Sequence, residues 1–140
     1  LAALELGRRF ASLTPQERVT ITAPEDVANL VMAKMEHLRV LLLNIKHRVL
    51  RIHEAYVGNV GSSAVRADEV FRPAIRQNTL AMVLVHNHPS GDPTPSEPDA
   101  VVTRDLVSAG KLLGIDLLDH LVIGDDGRWV NLNAKGIGFE

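Results

Sequence analysis

The stretch LAMVLVHNHPSGDPTPSEPD, residues 80–99, decides the expected fold of this chain. Its first six residues are apolar and have the length and composition of a buried β-strand. The stretch then changes at His86-Asn87-His88 to a loop that contains one glycine and four prolines. Successive side chains of a strand point to opposite faces, so His86 and His88 are predicted to share one face, roughly 6–7 Å apart along the backbone.

The end of this loop offers a third candidate metal ligand. Two imidazoles on one face can bind a single small cation, and Ser96-Glu97-Pro98-Asp99 is typical of a helix start that returns a carboxylate toward them. Two histidines and Asp99 would form a three-ligand site with one position left for water, which is the pattern of catalytic rather than structural zinc. A His-x-His pair alone is a weak signal, but these histidines leave the carboxyl end of an apolar strand, where ligands bind in α/β sheets.

The helix start has a structural interpretation as well. Ser96 at the N-cap and an acid three residues later form an arrangement like a capping box. The two interpretations are compatible, because Ser96 can cap the helix while Asp99 turns its carboxylate to the cation. Glu97 is the rival ligand, although the first helical turn places it on another face.

Four other histidines have no partner at ligand spacing and are predicted to be surface or core residues: His37, His47, His53 and His120. Asp119-His120 is an exception with two interpretations. A buried acid–histidine pair can support a metal ligand from outside the coordination shell, whereas a structural role is the favoured interpretation. Glu36, taken by itself, is typical of the solvated end of a helix.

Hydrophobic periodicity predicts helices and strands in alternation on both sides of the central stretch. The predicted helices are residues 1–13, 24–36, 68–78 and 97–113, and the predicted strands are residues 38–45, 49–57, 80–85, 115–123 and 128–132. Residues 1–23 are interpreted as a linker helix and connection, and residues 24–140 as the folded domain. Because two hairpins interrupt the crossovers, the predicted class is α/β with a mixed central sheet flanked by helices.

Composition excludes several classes of function. The 140 residues suit one domain, and the absence of cysteine excludes disulfides, thiolate zinc ligands and a cysteine nucleophile. The formal net charge of −2 means that the chain has no excess of positive charge to bind phosphate groups, so we expect weak nucleic-acid binding. The sequence has neither a membrane-length apolar segment nor a signal pattern, so we expect a cytoplasmic protein. Leu1 in place of Met indicates a fragment or processed chain, and an edge strand could support a homo-oligomer.

The spacing of the candidate residues resembles a known metal-hydrolase motif. The pattern resembles the JAMM motif in the form found in the bacterial RadC-like JAB/MPN family. It consists of His86-x-His88, seven residues, Ser96, two residues and Asp99, and residues 89–96 read PSGDPTPS. Residues 36–44, EHLRVLLLN, resemble the first strand of that family, and residues 109–124, AGKLLGIDLLDHLVIG, resemble its last helix and strand. The resemblance covers nearly everything from about residue 24 onward.

This resemblance implies a cofactor, a set of residue roles and a fold. It implies that His86, His88 and Asp99 bind one zinc ion, that Glu36 is the general base, and that Ser96 helps to hold the water or the oxyanion. It also implies a cytidine-deaminase-like fold of three α/β layers. The implied reaction is hydrolysis of an amide or isopeptide bond in a peptide or protein by a zinc-activated water.

Two other functions compete with the zinc-dependent hydrolase. An accessory role in DNA repair or recombination predicts salt-sensitive DNA binding, which the weakly negative charge disfavours. The other alternative is a deaminase or another zinc hydrolase of related fold. A nucleobase deaminase needs the motifs His-x-Glu and Pro-Cys-x-x-Cys, and the chain has neither.

Overall fold

The computed structural model describes residues 35–58 and 65–140. In chain order these form strands β1 (Glu36–Leu43) and β2 (Val49–Gly58), helix α1 (Ala67–Arg76), strand β3 (Ala81–Asn87), helix α2 (Glu97–Leu113), strands β4 (Asp116–Ile123) and β5 (Trp129–Asn131), and a 3₁₀ helix (Asn133–Lys135). The predicted helix at 1–13, most of the one at 24–36 and the predicted boundary after residue 23 lie outside the described residues. Within the described part, no helix is long and apolar enough to cross a membrane.

The described strands form one five-stranded sheet in the order β2-β1-β3-β4-β5. β3 and β4 are parallel, and the other neighbouring strands are antiparallel. α1 connects β2 to β3 across β1, and α2 connects β3 to β4, as the long connections between parallel strands require. The predicted α/β class with a mixed sheet and two hairpins is confirmed.

The predicted helix end at Glu36 is wrong, because Glu36 begins β1. It pairs with Gly58 of β2, and the residues that follow pair with β2 on one side and β3 on the other. The apolar run from Leu38 to Leu43 is buried apart from Arg39. Pairing of Glu36 with β2, continuous with a strand that is paired on both edges from Leu38 onward, outweighs the helical spacing of the sequence before it.

The two described helices pack against the same face of the sheet. The core on that face contains Leu38, Val40, Leu42, Val70, Phe71, Ala74, Met82, Leu84, Val102, Leu106, Ile115 and Leu117. A second buried cluster on the other face contains Leu41, Leu43, Val83, Val85, Leu121 and Ile123. Because strand side chains alternate between faces, His86 follows Leu84 onto the helix face and meets the start of α2.

Helix α2 begins and ends where the sequence predicts. Ser96 is its N-cap and forms a capping box with Asp99, an arrangement that contributes about 1 kcal/mol to the stability of a helix. Gly114 ends it in the left-handed region, with φ of 72°, and its N–H bonds to the Gly110 carbonyl. The capping box fixes Asp99 in the first turn, next to the end of β3.

Candidate metal centre

The end of β3 and the first turn of α2 bring the three predicted ligands together. Nε2 of His86 lies 3.2 Å from Oδ1 of Asp99, and Nε2 of His88 lies 3.1 Å from Oδ2 of Asp99. The two Nε2 atoms are 3.0 Å apart. Tetrahedral zinc with bonds of about 2.0–2.1 Å places its ligand atoms roughly 3.3 Å apart, so these donor atoms fit one small ion. Among the described residues, these three side chains are the group of histidines and acids close enough to hold a metal.

Burial and charge at this cluster also suit a divalent cation. His86 and Asp99 are buried, and His88 is partly buried. Burial works to raise the pKa of Asp99, but hydrogen bonds with His86 and His88 outweigh it and hold that pKa well below its usual range. The carboxyl group is therefore ionised, and a buried carboxylate needs a cation or several hydrogen bonds to offset its lost hydration.

Asp99 serves the helix start and the ligand cluster at the same time. Its Oδ2 accepts a hydrogen bond from the Ser96 N–H at 2.7 Å, while the Asp99 N–H donates to Ser96 Oγ at 3.2 Å. Capping and metal binding are therefore compatible in one geometry, as predicted. The rival ligand Glu97 is exposed and is not part of the cluster.

His88 is oriented by the loop that follows it. Its Nδ1 donates to the carbonyl of Asp92 at 2.9 Å, which leaves the lone pair of Nε2 directed at the cluster. Hydrogen bonding to Asp99 raises the pKa of His88, burial opposes that rise, and the carboxylate of Glu36 adds to it. A proton and a cation therefore compete for the same Nε2 atom.

His86 is held by a chain of three hydrogen bonds that was not predicted from the sequence. Its Nδ1 lies 2.6 Å from Nε2 of His120. Nδ1 of His120 lies 2.6 Å from Oγ1 of Thr103, which donates to the Asp99 carbonyl at 2.6 Å. This chain of hydrogen bonds thus begins at the candidate ligand His86 and ends at the backbone of the candidate ligand Asp99.

One arrangement of protons satisfies these contacts and also leaves Nε2 of His86 free to bind a metal ion. Thr103 uses its single hydroxyl hydrogen on the Asp99 carbonyl, so its oxygen accepts from Nδ1–H of His120. Complete burial holds the pKa of His120 well below its usual range, so this histidine is neutral and its Nε2 accepts from Nδ1–H of His86. Nε2 of His86 is then the unprotonated nitrogen that a metal ion requires.

Thr103→Val is expected to weaken zinc binding about 10–100-fold, the usual effect of losing a contact that supports a ligand. Valine keeps the shape of Thr103 but leaves the buried Nδ1–H of His120 unpaired, so the free energy of unfolding should fall by about 1–3 kcal/mol. Chelator competition and chemical denaturation measure the two effects. Thr79→Val is the matched control, because the buried Oγ1 of Thr79 has no hydrogen-bond partner among the described residues. Wild-type zinc affinity in Thr103→Val would show that this chain of hydrogen bonds does not orient His86.

The side chains of Asp119 and His120 do not form the acid–histidine pair considered from the sequence, although the Asp119 carboxylate accepts a hydrogen bond from the His120 backbone N–H at 2.7 Å. The Asp119 carboxylate accepts hydrogen bonds from Asn131 Nδ2 at 3.0 Å and from the Asn133 N–H at 3.1 Å, and so stabilises the segment after β5. Neighbouring strand residues point to opposite faces, which directs His120 to His86 instead. The structural interpretation fits Asp119, and His120 is a buried core histidine as predicted; its contact with the candidate ligand His86 is an addition to that prediction.

Glu36 lies on the same face of the sheet as the two candidate histidine ligands. Leu38 pairs with His86 across the antiparallel strands β1 and β3, and Glu36 and His88 each lie two residues beyond this pair toward the same end. Glu36 is partly buried, and its carboxylate is close enough to contribute to the raised pKa of His88. This placement is the one a base beside the ligands requires, and the catalytic role of Glu36 stays a prediction.

The loop that carries His88 is tied to the β4–β5 hairpin. The carbonyl of Gly91 accepts hydrogen bonds from the Asp125 N–H at 2.8 Å and from Arg128 Nη2 at 2.7 Å. The hairpin approaches so closely that a Cβ atom added to Gly124 would lie 2.2 Å from the Gly91 carbonyl oxygen. Glycine at position 124 is therefore a requirement of the contact between hairpin and loop.

Gly124→Ala is expected to lower the free energy of unfolding by about 1–3 kcal/mol, because the added methyl group forces the loop and the hairpin apart. Zinc should also stabilise this variant less than it stabilises the wild type, since the loop positions His88. Denaturation of the metal-free and zinc-loaded proteins separates the two effects. Equal stabilisation by zinc in both proteins would mean that the contact does not position the ligand.

The other predicted non-ligand histidines lie apart from this cluster. Nδ1 of His37 pairs with the carboxylate of Glu54 on β2. His47 is exposed in the turn between β1 and β2, and His53 is on β2. None of the three belongs to the described metal-binding group, in agreement with the prediction.

Comparison with known proteins points to one family. A protein-family model described as RadC-like JAB domain matches residues 21–137. Proteins named UPF0758 protein match 99% of the chain, with 52% identity in Chloroflexus aggregans, 51% in Chloroflexus aurantiacus and 50% in Roseiflexus castenholzii. The chain covers 61–62% of the length of these relatives.

Proposed function

The chain belongs to the RadC-like JAB domain family, and on that premise we propose that it is a zinc-dependent hydrolase of amide or isopeptide bonds. The strongest support is the donor set, in which two imidazole nitrogens and an ionised carboxylate lie 3.0–3.2 Å from one another. His86, His88 and Asp99 would hold the ion. Imidazole and carboxylate are common zinc ligands, and three protein ligands leave one position for water.

The residues around the cluster have separate proposed roles. Zinc bound there would act as a Lewis acid that lowers the pKa of a water molecule and polarises the scissile carbonyl. Glu36, on the ligand face of the sheet, accepts the proton of the attacking water and passes it to the leaving amine. Ser96 Oγ accepts from the Asp99 N–H, so its own hydrogen is available to the oxyanion. One such donor contributes about 3 kcal/mol of transition-state stabilisation.

A cleavage screen with defined metal content tests this proposal. The protein is stripped with a chelator, its zinc content is measured, and half of it is reloaded with zinc. Both halves are incubated with a peptide library and with isopeptide-linked substrates, and we expect cleavage only in the zinc-loaded half. Failure of stoichiometrically loaded protein to cleave either class would overturn the proposal. Salt-sensitive DNA binding by that inactive protein would favour the accessory role in DNA repair.

A further inference from the structure

We propose that Asn87 is a positioning residue for Glu36, an inference that rests on the proposed hydrolase function. The side chain of Asn87 connects the end of β3 to the backbone on both sides of Glu36. Its Oδ1 accepts a hydrogen bond from the His37 N–H at 2.8 Å, and its Nδ2 donates to the Met35 carbonyl at 3.0 Å. Glu36 is the one residue between these two anchored groups.

The two hydrogen bonds begin where the backbone pairing of β1 with β3 ends. That pairing runs from Leu43–Ala81 to Leu38–His86, so Asn87 comes next on β3 and the start of β1 lies opposite it. There the Asn87 side chain supplies the acceptor and the donor that a longer β3 would supply from its backbone. The start of β1 is therefore fixed to the end of β3.

This connection couples the base to the metal ligands. Asn87 is covalently joined to His86 and His88, so the backbone that carries Glu36 is held to the segment that carries two of the three ligands. Anchoring the neighbours of Glu36 fixes the point at which its side chain leaves the strand. Such precision matters, because a misplacement of about 1 Å can lower a reaction rate about 10²-fold.

The chemistry of the side chain makes this role separable from metal binding. The Asn87 side chain points away from the ligand face, since neighbouring strand residues alternate, and its replacement removes no donor atom. Alanine removes both hydrogen bonds to the Glu36 neighbours. Aspartate keeps the acceptor for the His37 N–H but loses the donor for the Met35 carbonyl.

Steady-state kinetics of zinc-loaded Asn87→Ala is the first test. We expect kcat to fall about 10–100-fold, with KM and zinc affinity within about threefold of wild type, because only the base is displaced. Asn87→Asp should lower kcat by a smaller factor. If Asn87→Ala does not fold, kcat, KM and zinc affinity are compared between Asn87→Asp and the wild type instead. Asn133→Ala is the matched control: Asn133 Nδ2 donates to the Leu118 carbonyl at 2.8 Å, away from the cluster, and kcat should be unchanged. Loss of zinc in parallel with kcat would overturn the positioning role.

A double-mutant cycle tests whether Asn87 acts through Glu36. When Glu36→Gln is already present, Asn87→Ala should change kcat by less than about twofold, because the base that it positions is gone. Independent losses that multiply in the double variant would overturn the inference, since they would mean that Asn87 supports the site in another way.

Amide hydrogen exchange in the metal-free protein distinguishes failure of this inference from failure of the proposed function. Asn87→Ala should speed exchange at the His37 N–H by about tenfold or more, whereas Asn87→Asp should leave it slow. Unchanged exchange at His37 in Asn87→Ala would overturn the positioning role even in an active hydrolase. If the two variants exchange as expected but the zinc-loaded wild type cleaves nothing, the proposed hydrolase function is overturned instead. The contact would then have a structural role only.

Discussion

Glu36→Gln is expected to lower kcat about 10²–10⁴-fold while the protein still binds zinc at the wild-type level. Glutamine keeps the size of Glu36 and its place at the start of β1, but its amide cannot take a proton from water. Glu36 is not one of the three clustered donors, so the affinity for zinc should change little. Parallel measurement of kcat and of bound zinc on one preparation separates the two effects.

Glu97→Gln provides the matched control for this variant. Glu97 is also acidic and lies in the first turn of α2, two residues before Asp99, but it is exposed and outside the cluster. We expect wild-type kcat and zinc binding from Glu97→Gln. If Glu36→Gln kept near-wild-type activity, or lost zinc together with activity, Glu36 would not be the general base.

His88→Ala is expected to abolish stoichiometric zinc binding and, with it, cleavage. It removes one of three donor atoms, so zinc affinity should fall by more than the roughly 10–100-fold that loss of a supporting contact costs. The free energy of unfolding of the metal-free variant should fall by about 1–3 kcal/mol, because the buried carboxylate of Asp99 loses a hydrogen-bond partner. Zinc analysis after dialysis and chemical denaturation check these two expectations.

His53→Ala is the control for loss of a histidine as such. His53 lies on β2 and is outside the metal-binding group, so its replacement should leave zinc binding unchanged. Wild-type zinc affinity in His88→Ala would place the ion elsewhere in the protein and would remove the structural basis of the proposed reaction.

The ligand trio could be predicted from the sequence because its determinants are local. Strand alternation places His86 and His88 on one face, and the capping residues fix Asp99 in the first turn of α2. Glu36 could not be found in this way. It lies far upstream of the ligands, its local pattern indicated a helix, and only the family resemblance pointed to it as the base.

The contacts that support the trio depend on strand order, which local patterns do not encode. His120 reaches His86 because β4 lies parallel to β3 with His120 opposite Leu84. Asn87 reaches both neighbours of Glu36 because β1 is the antiparallel neighbour of β3. Hydrophobic periodicity shows which face a side chain occupies, but it does not show which distant strand lies beside it.

Anomalous diffraction at the zinc absorption edge, from crystals of the zinc-loaded protein, tests the metal assignment most directly. We predict one strong peak about 2.0–2.2 Å from Nε2 of His86, Nε2 of His88 and a carboxylate oxygen of Asp99, on the sheet face that carries Glu36. A zinc peak bound by other side chains, or its absence from this position in crystals that contain zinc, would contradict the assignment.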